Sequence, residues 1–404
     1  MKVTDNEKQD WISIAFIWSG ALISVTALMI GGLLVQGLDF KTGMIAGTLG
    51  YFVVVLYMVL QGIEGMDTGL STVEMASKSF GNIGSKKIIA SLLAVSCFGW
   101  FGVQTGIVAQ AFTNFMKNYG INCPLAISSI LWGGIMVITA IYGIKMLKIL
   151  NVIAVPSLIV MCLYATYRAI NLKGFEYILN HKPTGTSTFI TAVGMTVGSF
   201  ALGGVLAGDY SRYAKSRKDV LKSSFFGMIP AGFLMCFMGA VISVATESLD
   251  IDAAMQTLGL GIFGTIVLIL ATWTTNTVNA YSGGLAITNL FNLDKKYSNI
   301  TILIAGIIGS LLSVFGILAY FEKFLIILTN TLPPVAGVMI ADYWIINKGH
   351  YDDVVTNENF NIVGIISWII GILAATYIKY GIAPINGIIV SMIVYVISYK
   401  VLKK

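Results

Sequence analysis

Two residue types that soluble enzymes commonly rely on are almost missing from this chain. Only two histidines occur, His181 and His350, both in polar stretches between apolar ones. That speaks against a histidine metal centre or a histidine-activated nucleophile. The four cysteines, Cys97, Cys123, Cys162 and Cys236, are scattered without paired spacing and read as packing residues rather than metal ligands. Charge is scarce as well: Asp, Glu, Lys and Arg make up 11% of the 404 residues, against roughly 25% in soluble domains. No cluster of nucleophile, acid and base falls inside the apolar stretches, which disfavours an intramembrane enzyme.

What fills the chain is hydrocarbon. Hydrophobic residues account for 56% of it and the mean hydropathy is +0.84, the composition of an all-α integral membrane protein. Apolar runs of about 20 residues, each long enough to cross a bilayer core of about 30 Å, recur about twelve times. They are expected at 11–36, 43–63, 86–116, 123–144, 147–169, 187–207, 221–245, 258–285, 299–319, 323–346, 361–379 and 382–401, numbered here as spans 1 to 12. No soluble domain fits between them. The first span is too long for a cleaved signal peptide and lacks a small-residue cleavage site, so it is expected to stay.

Basic residues are retained on the cytoplasmic side. With the N-terminus inside, most of the 25 Lys and Arg fall inside: Lys2, Lys8, Lys78, Lys86, Lys87, Lys145, Lys148, Arg212, Lys215, Arg217, Lys218, Lys222, Lys295, Lys296, Lys348, Lys400, Lys403 and Lys404. Both termini are therefore expected in the cytoplasm of a multi-pass protein of the cell membrane. The net charge of +6 needs no nucleic acid, since basic loops lie beside anionic headgroups.

Polar residues inside the spans carry the functional argument. In "LATWTTNTVNAYSGGL" of span 8, Thr272, Thr275, Asn276 and Asn279 share one helix face. A single Thr in a membrane helix usually bonds its own i−4 carbonyl. Two amides are different, because in hydrocarbon they need partners on other helices or a wet cavity. In span 3, Trp100 and Gln104 stand four residues apart on one face, an aromatic plane above an amide that suits a flat heterocycle with donors and acceptors on its edge.

Glycines at 194, 198, 203, 204 and 208 interrupt span 6 around Ser199 and Phe200, and Ser19, Gly20 and Ser24 interrupt span 1. Dense glycine accompanies close helix packing. It also accompanies broken helices whose freed backbone groups line a cavity, and interrupted segments at matching positions of two halves point to a transporter site at the bilayer midplane. Ser24 and Ser199, at the two interruptions, are candidate substrate contacts.

These fragments resemble the nucleobase:cation symporter-1 family, the bacterial cytosine permeases most of all. The resemblance covers nearly the whole length and rests on "GWFG" (Gly99 to Gly102), "IAVP" (Ile153 to Pro156), "GSF" (Gly198 to Phe200), "GDYSRY" (Gly208 to Tyr213), "WTTN" (Trp273 to Asn276), "YSGGL" (Tyr281 to Leu285) and "PPVAGVMIADY" (Pro333 to Tyr343). It implies a LeuT-like fold of two inverted five-helix repeats, with spans 1 and 6 broken and two further C-terminal helices. One transporter domain, 1–404, would hold the repeats at 1–170 and 187–346 and the added helices at 361–401. It further implies that Trp100 and Phe200 flank a planar base with Asn276 at its edge. Thr274 and Thr275 match the hydroxyl ligands of the family's sodium site, with the carbonyls of Ala271 and, by register, Ser19 and Leu22.

The function expected is import of a nucleobase-like heterocycle, cytosine or a related pyrimidine or purine, by cation symport through alternating access. Sodium is the expected coupling ion, because spans 1, 3, 6 and 8 carry no Asp, Glu, His or Lys centrally; no cofactor and no obligate protein partner are expected. The alternative is a proton-coupled importer of a hydroxymethylpyrimidine, hydantoin or allantoin type. Substrate identity is open because Cys97 stands where cytosine permeases place a Gln and Leu202 where they place a Ser. Gln104 matches the hydantoin-transporting branch, and Asn279 resembles the fungal purine-cytosine branch.

Overall fold

The computed structural model describes residues 3–142, 144–351 and 358–402, without the side chains of Asp5, 144–152 and Lys295. Lys2, Lys145, Lys148, Lys295, Lys403 and Lys404, which enter the charge argument, thus lie outside what is described. Among the described residues eight helices are long and apolar enough to cross a membrane, a ninth crossing is a helix pair bent by 63°, and three shorter apolar helices complete the expected twelve.

Span 1 is that bent pair, Trp11–Leu22 and Val25–Gly37. Ser24 is extended (φ −149°, ψ 157°), and its side chain accepts the Ala27 N–H, so it ends one helix and caps the next. Ser19 and Gly20 stay helical, so the break falls at the C-terminal edge of the interruption expected from sequence. Spans 2 to 5 are Phe40–Thr68, Asn82–Asn118, Leu125–Tyr142 and Ile144–Lys173. Span 6 runs Phe189–Val205 and resumes as Ala207–Ser211, with Phe200 out of helical geometry (φ −132°, ψ 16°) at the glycine-rich point. Spans 7 to 9 are Arg217–Thr246, Gly261–Leu290 and Ser298–Val314.

Span 10 is less regular than expected. Phe321–Thr331 gives way at Leu332 to Pro333–Ile340, and Ala341–Ile346 closes it as a π-helix. Pro333 and Pro334 are the reason, since proline supplies no N–H to the preceding turn yet starts a helix well. Spans 11 and 12 are Ile362–Tyr377 and Ala383–Leu402. Several helices outrun their apolar windows: span 2 starts at an Asp39 cap and ends on Gly69 at φ 70°, in left-handed geometry that glycine adopts without strain.

Packing sorts the spans into two groups. Span 1 lies along span 7 and span 2 along span 6, while spans 3, 4, 8 and 9 pack among themselves. The first two pairings interchange when each helix of one five-helix half is swapped for its counterpart in the other, as an inverted repeat requires. Span 5 touches 7 and 8, and span 10 touches its counterparts 2 and 3. Span 1 meets span 7 at backbone distance, because a Cβ on Gly31 or Gly239 would collide with the facing carbonyl of Cys236 or Leu28. Even-numbered crossings return the C-terminus to the face of the N-terminus.

Candidate functional site

The two helix breaks face one cavity of about 190 Å³, lined by Ala21, Leu22, Ser24, Thr26, Ala27, Ile30, Tyr51, Trp100, Gln104, Ser199, Phe200, Leu202, Gly203, Thr275 and Asn279. That volume is below the drug-sized range of roughly 300–1,000 Å³ and suits a small ring. Of the candidate substrate residues, the structure brings Ser24, Trp100, Gln104, Ser199, Phe200 and Asn279 to its wall.

Each is held differently. Trp100 is braced edge-on by Phe321 (centroids 5.9 Å) and Phe324 (5.4 Å) of span 10. Phe200 lies over Gly203, where any Cβ would strike its ring, and is met edge-on by Trp18 at 6.2 Å. The Ser199 hydroxyl donates to the Thr196 carbonyl at 2.6 Å, and Ser24 Oγ sits 3.0 Å from Thr26 Oγ1. Gln104 is 4% exposed and its Oε1 has no partner, an acceptor left open beside the Trp100 ring.

Asn276 does not line the cavity. Its Nδ2 donates to the Phe101 carbonyl at 3.1 Å and Thr105 Oγ1 at 3.0 Å, tying span 8 to span 3, and its Oδ1 accepts Asn279 Nδ2 at 3.2 Å. The shared face of span 8 thus divides: Thr275 and Asn279 turn to the cavity, Thr272 and Asn276 into the packing with neighbours. Periodicity places residues on a face; it does not say where that face meets an adjoining helix. The sequence departures also separate, since Leu202 lines the cavity while Cys97 packs near Gly283.

The candidate cation ligands are partly assembled. Thr274 and Thr275 hydroxyls both donate to the Ala271 carbonyl, at 2.9 and 3.1 Å, so three of the oxygens already converge. Leu22 lines the cavity with Thr275, and its carbonyl belongs to the last turn of a helix, where no i+4 amide follows. Ser19 is further back: its carbonyl takes the Ile23 N–H at 3.0 Å and its hydroxyl donates to Gly227 O at 2.9 Å. This all-neutral oxygen set has the chemistry of a hard monovalent cation site, once the Thr hydroxyls rotate to offer lone pairs. No group of three or more His, Cys, Asp or Glu that could hold a metal occurs among the described residues.

Ala21, Thr26, Ala27, Ile30 and Tyr51 also line the wall and were not expected from sequence, and Gly203 joins them from the glycine-rich interruption of span 6. Tyr51 comes from span 2, its hydroxyl 3.8 Å from Cys236 Sγ; a lone tyrosine in an apolar run gives no sign of facing a cavity. On the opposite side of the Trp100, Phe321 and Phe324 cluster lies a second cavity of about 420 Å³, reached by Phe321, Gln36, Gln110, Asp250, Asp252 and Glu322. There burial raises the Asp252 carboxyl above the usual range, against the Thr265 hydroxyl that donates to it. Ala21 is exposed at the cavity rim.

The family model described as "Permease for cytosine/purines, uracil, thiamine, allantoin" matches residues 2–402. Cytosine permease of Escherichia coli (strain K12) is 29% identical, over 100% of this chain and 94% of that protein. Hydantoin permease of Microbacterium maritypicum is 26% identical over 83% and 73%. The solved transporter Mhp1 superposes in its inward facing conformation with a TM-score of 0.88 at 20% identity, over 100% and 93%. Its closed conformation with bromovinylhydantoin bound gives 0.80 at 20% identity, over 98% and 93%. These likenesses establish the multi-pass LeuT-like fold.

Proposed function

The chain belongs to the family of permeases for cytosine, purines, uracil, thiamine and allantoin, and from that premise we propose that it imports a planar nucleobase-like heterocycle by sodium symport. The carrying observation is Gln104 Oε1, buried without a partner in a cavity flanked by Trp100 and Phe200. A buried amide oxygen left unpaired is unfavourable by about 1–3 kcal/mol, and a ring N–H docked against it removes that penalty. The aromatic planes supply stacking, worth roughly 1–3 kcal/mol per base. Asn279, set by Asn276, reads a second edge.

Sodium is supported by the neutral donors of Ala271, Thr274, Thr275 and Leu22, with Ser19 one turn behind. An ion there charges the region between the span 1 break and span 8, which is how it would couple to the substrate beside it. The basic residues on the terminus-bearing face support an orientation with both termini in the cytoplasm of the cell membrane. Leu202 in the wall favours a substrate that presents carbon at that edge, so hydantoin, allantoin and hydroxymethylpyrimidine belong beside cytosine among candidates.

The test is uptake of labelled compounds into proteoliposomes against a gradient. The panel is cytosine, adenine, hypoxanthine, uracil, hydantoin, allantoin and hydroxymethylpyrimidine, each under an imposed sodium gradient and then an imposed pH gradient. Sodium-driven accumulation of at least one heterocycle is expected. Accumulation that follows only the pH gradient overturns the sodium assignment, and no accumulation of any heterocycle overturns the substrate class.

A further inference from the structure

Glu64 is a buried acid that the transport site does not use. It lies in the terminus-side end of span 2, beyond the apolar window, is 0% exposed, and neither carboxyl oxygen has a hydrogen-bond partner. Asp342, Tyr351 and Asp67 face it. Asp342 and Asp67 each hold other partners. In span 10, Asp342 accepts the Tyr395 hydroxyl of span 12 at Oδ1 (2.8 Å) and the Tyr351 hydroxyl at Oδ2 (2.8 Å), with Asn347 Nδ2 at 3.5 Å. Asp67 takes Arg217 Nε at 3.1 Å and the Tyr343 hydroxyl at 2.7 Å.

Among the described residues no ion pair is made to Glu64. Lys78 holds its Nζ 5.8 Å over the Tyr351 ring and has a further interaction, as has His350. From span 6, Asp209 accepts the Thr72 N–H at 2.8 Å, and Arg212 lies over the Tyr213 ring at 5.1 Å. Glu74 is spent on the Ser71 cap, and Tyr399 lies beside Tyr395 with ring centroids 5.9 Å apart.

Asp342, with two phenols and an amide directed at it, is built for a negative charge; Glu64, with no donor, is not. An ionised carboxylate buried without a donor is strongly unfavourable, and a second carboxylate facing it makes it worse. We propose that Glu64 is held as a neutral carboxylic acid and that Glu64, Tyr351 and Asp342 form a proton-binding site separate from the substrate cavity. Tyr351, whose own proton goes to Asp342, faces both carboxyl groups, so the pair holds one acid proton between them. Asp67, three residues on, is 20% exposed and its partner Arg217 51% exposed, so water at the terminus-bearing face comes within a helical turn. Loss of the proton leaves two like charges across the seam between span 2 and spans 10 and 12, and loosens it.

The proposal rests on neither the substrate nor the coupling ion, so its test uses the full chain in detergent without either. As pH rises past the ordinary carboxylate range, the wild-type Tm falls, because the native state holds a proton that the unfolded chain has released. Glu64→Gln, which copies the neutral acid in shape and donor, keeps the wild-type Tm at the acid end and removes that slope. The infrared carbonyl band of a buried protonated carboxylic acid, present in wild type and shifted in heavy water, is lost in the same variant. No such band in the wild type overturns the proposal. So does a Glu64→Gln chain whose acid-end Tm drops while the pH slope persists, since that marks Glu64 as ionised.

Discussion

Two polar regions are buried in this apolar chain, and they follow opposite rules. The cavity between spans 1, 3, 6 and 8 is built from neutral groups and leaves one of them, Gln104 Oε1, without a partner. The seam of spans 2, 10 and 12 is built around carboxyl groups and spends tyrosines on satisfying Asp342. An unpaired neutral amide is tolerable in a stable protein, whereas an unpaired buried charge is not. At the cavity Gln104 therefore keeps an acceptor open to a ligand, while at the seam phenols of the helices that meet there satisfy Asp342.

Four substitutions can break that contrast. The largest effect is expected at the seam. Asp342→Ala strands two buried phenols and an amide, and should lower unfolding stability by about 2–6 kcal/mol, at about 1–3 for each buried phenol left unsatisfied. Substrate affinity of the folded fraction should stay within about twofold, so a wild-type Tm in thermal unfolding, or a selective loss of binding, would erase the distinction drawn above.

Trp100→Ala comes next, on the cavity side. Loss of stacking worth roughly 1–3 kcal/mol raises the substrate Kd about 5- to 150-fold, while the protein still inserts and unfolds cooperatively. Near-normal affinity by equilibrium binding removes Trp100 from the site and leaves it as a brace for Phe321 and Phe324.

Thr275→Val tests the cation reading at nearly constant volume. Removing one hydroxyl should weaken sodium by about 1–2 kcal/mol, comparable to a lost hydrogen bond to a charged group. Linkage requires the substrate to follow, since each ligand tightens the other by the same factor. In wild type, raising sodium at constant ionic strength lowers the apparent substrate Kd and potassium does not; in the variant the response flattens. Equal substrate binding in the two salts would sink the sodium site.

Gln104→Leu should have the smallest effect on total affinity, about 1 kcal/mol, and a larger one on ranking. Heterocycles that put an N–H at that edge lose ground to those that do not, with the sodium response unchanged. An unaltered ranking in competition uptake returns Gln104 to helix packing.

Much of this was legible beforehand because bilayer physics is severe. Spans, their number and the two interrupted helices follow from run length, hydropathy and glycine placement, and the observed breaks at Ser24 and Phe200 fall within the expected stretches. Trp100 and Gln104 were readable as one face because both lie on an unbroken helix. Asn276 was not, because its amide can reach span 3 or the cavity from the same helical position, and only the neighbouring Phe101 carbonyl and Thr105 hydroxyl decide which. Glu64 escaped for another reason. It follows directly after the apolar window of span 2, where a carboxylate ordinarily meets water.

The sequence by itself determined that this chain inserts in a membrane, how often it crosses, where spans 1 and 6 yield, and which aromatic and amide groups lie at their level. These depend on local composition and helical period, which act whatever the neighbours are. Only the tertiary structure decided that Asn279 rather than Asn276 meets the cavity, that Tyr51 joins it from span 2, and that Glu64 is sealed against Asp342. Those depend on distances between residues hundreds of positions apart in the chain, and such distances exist only once the helices have packed.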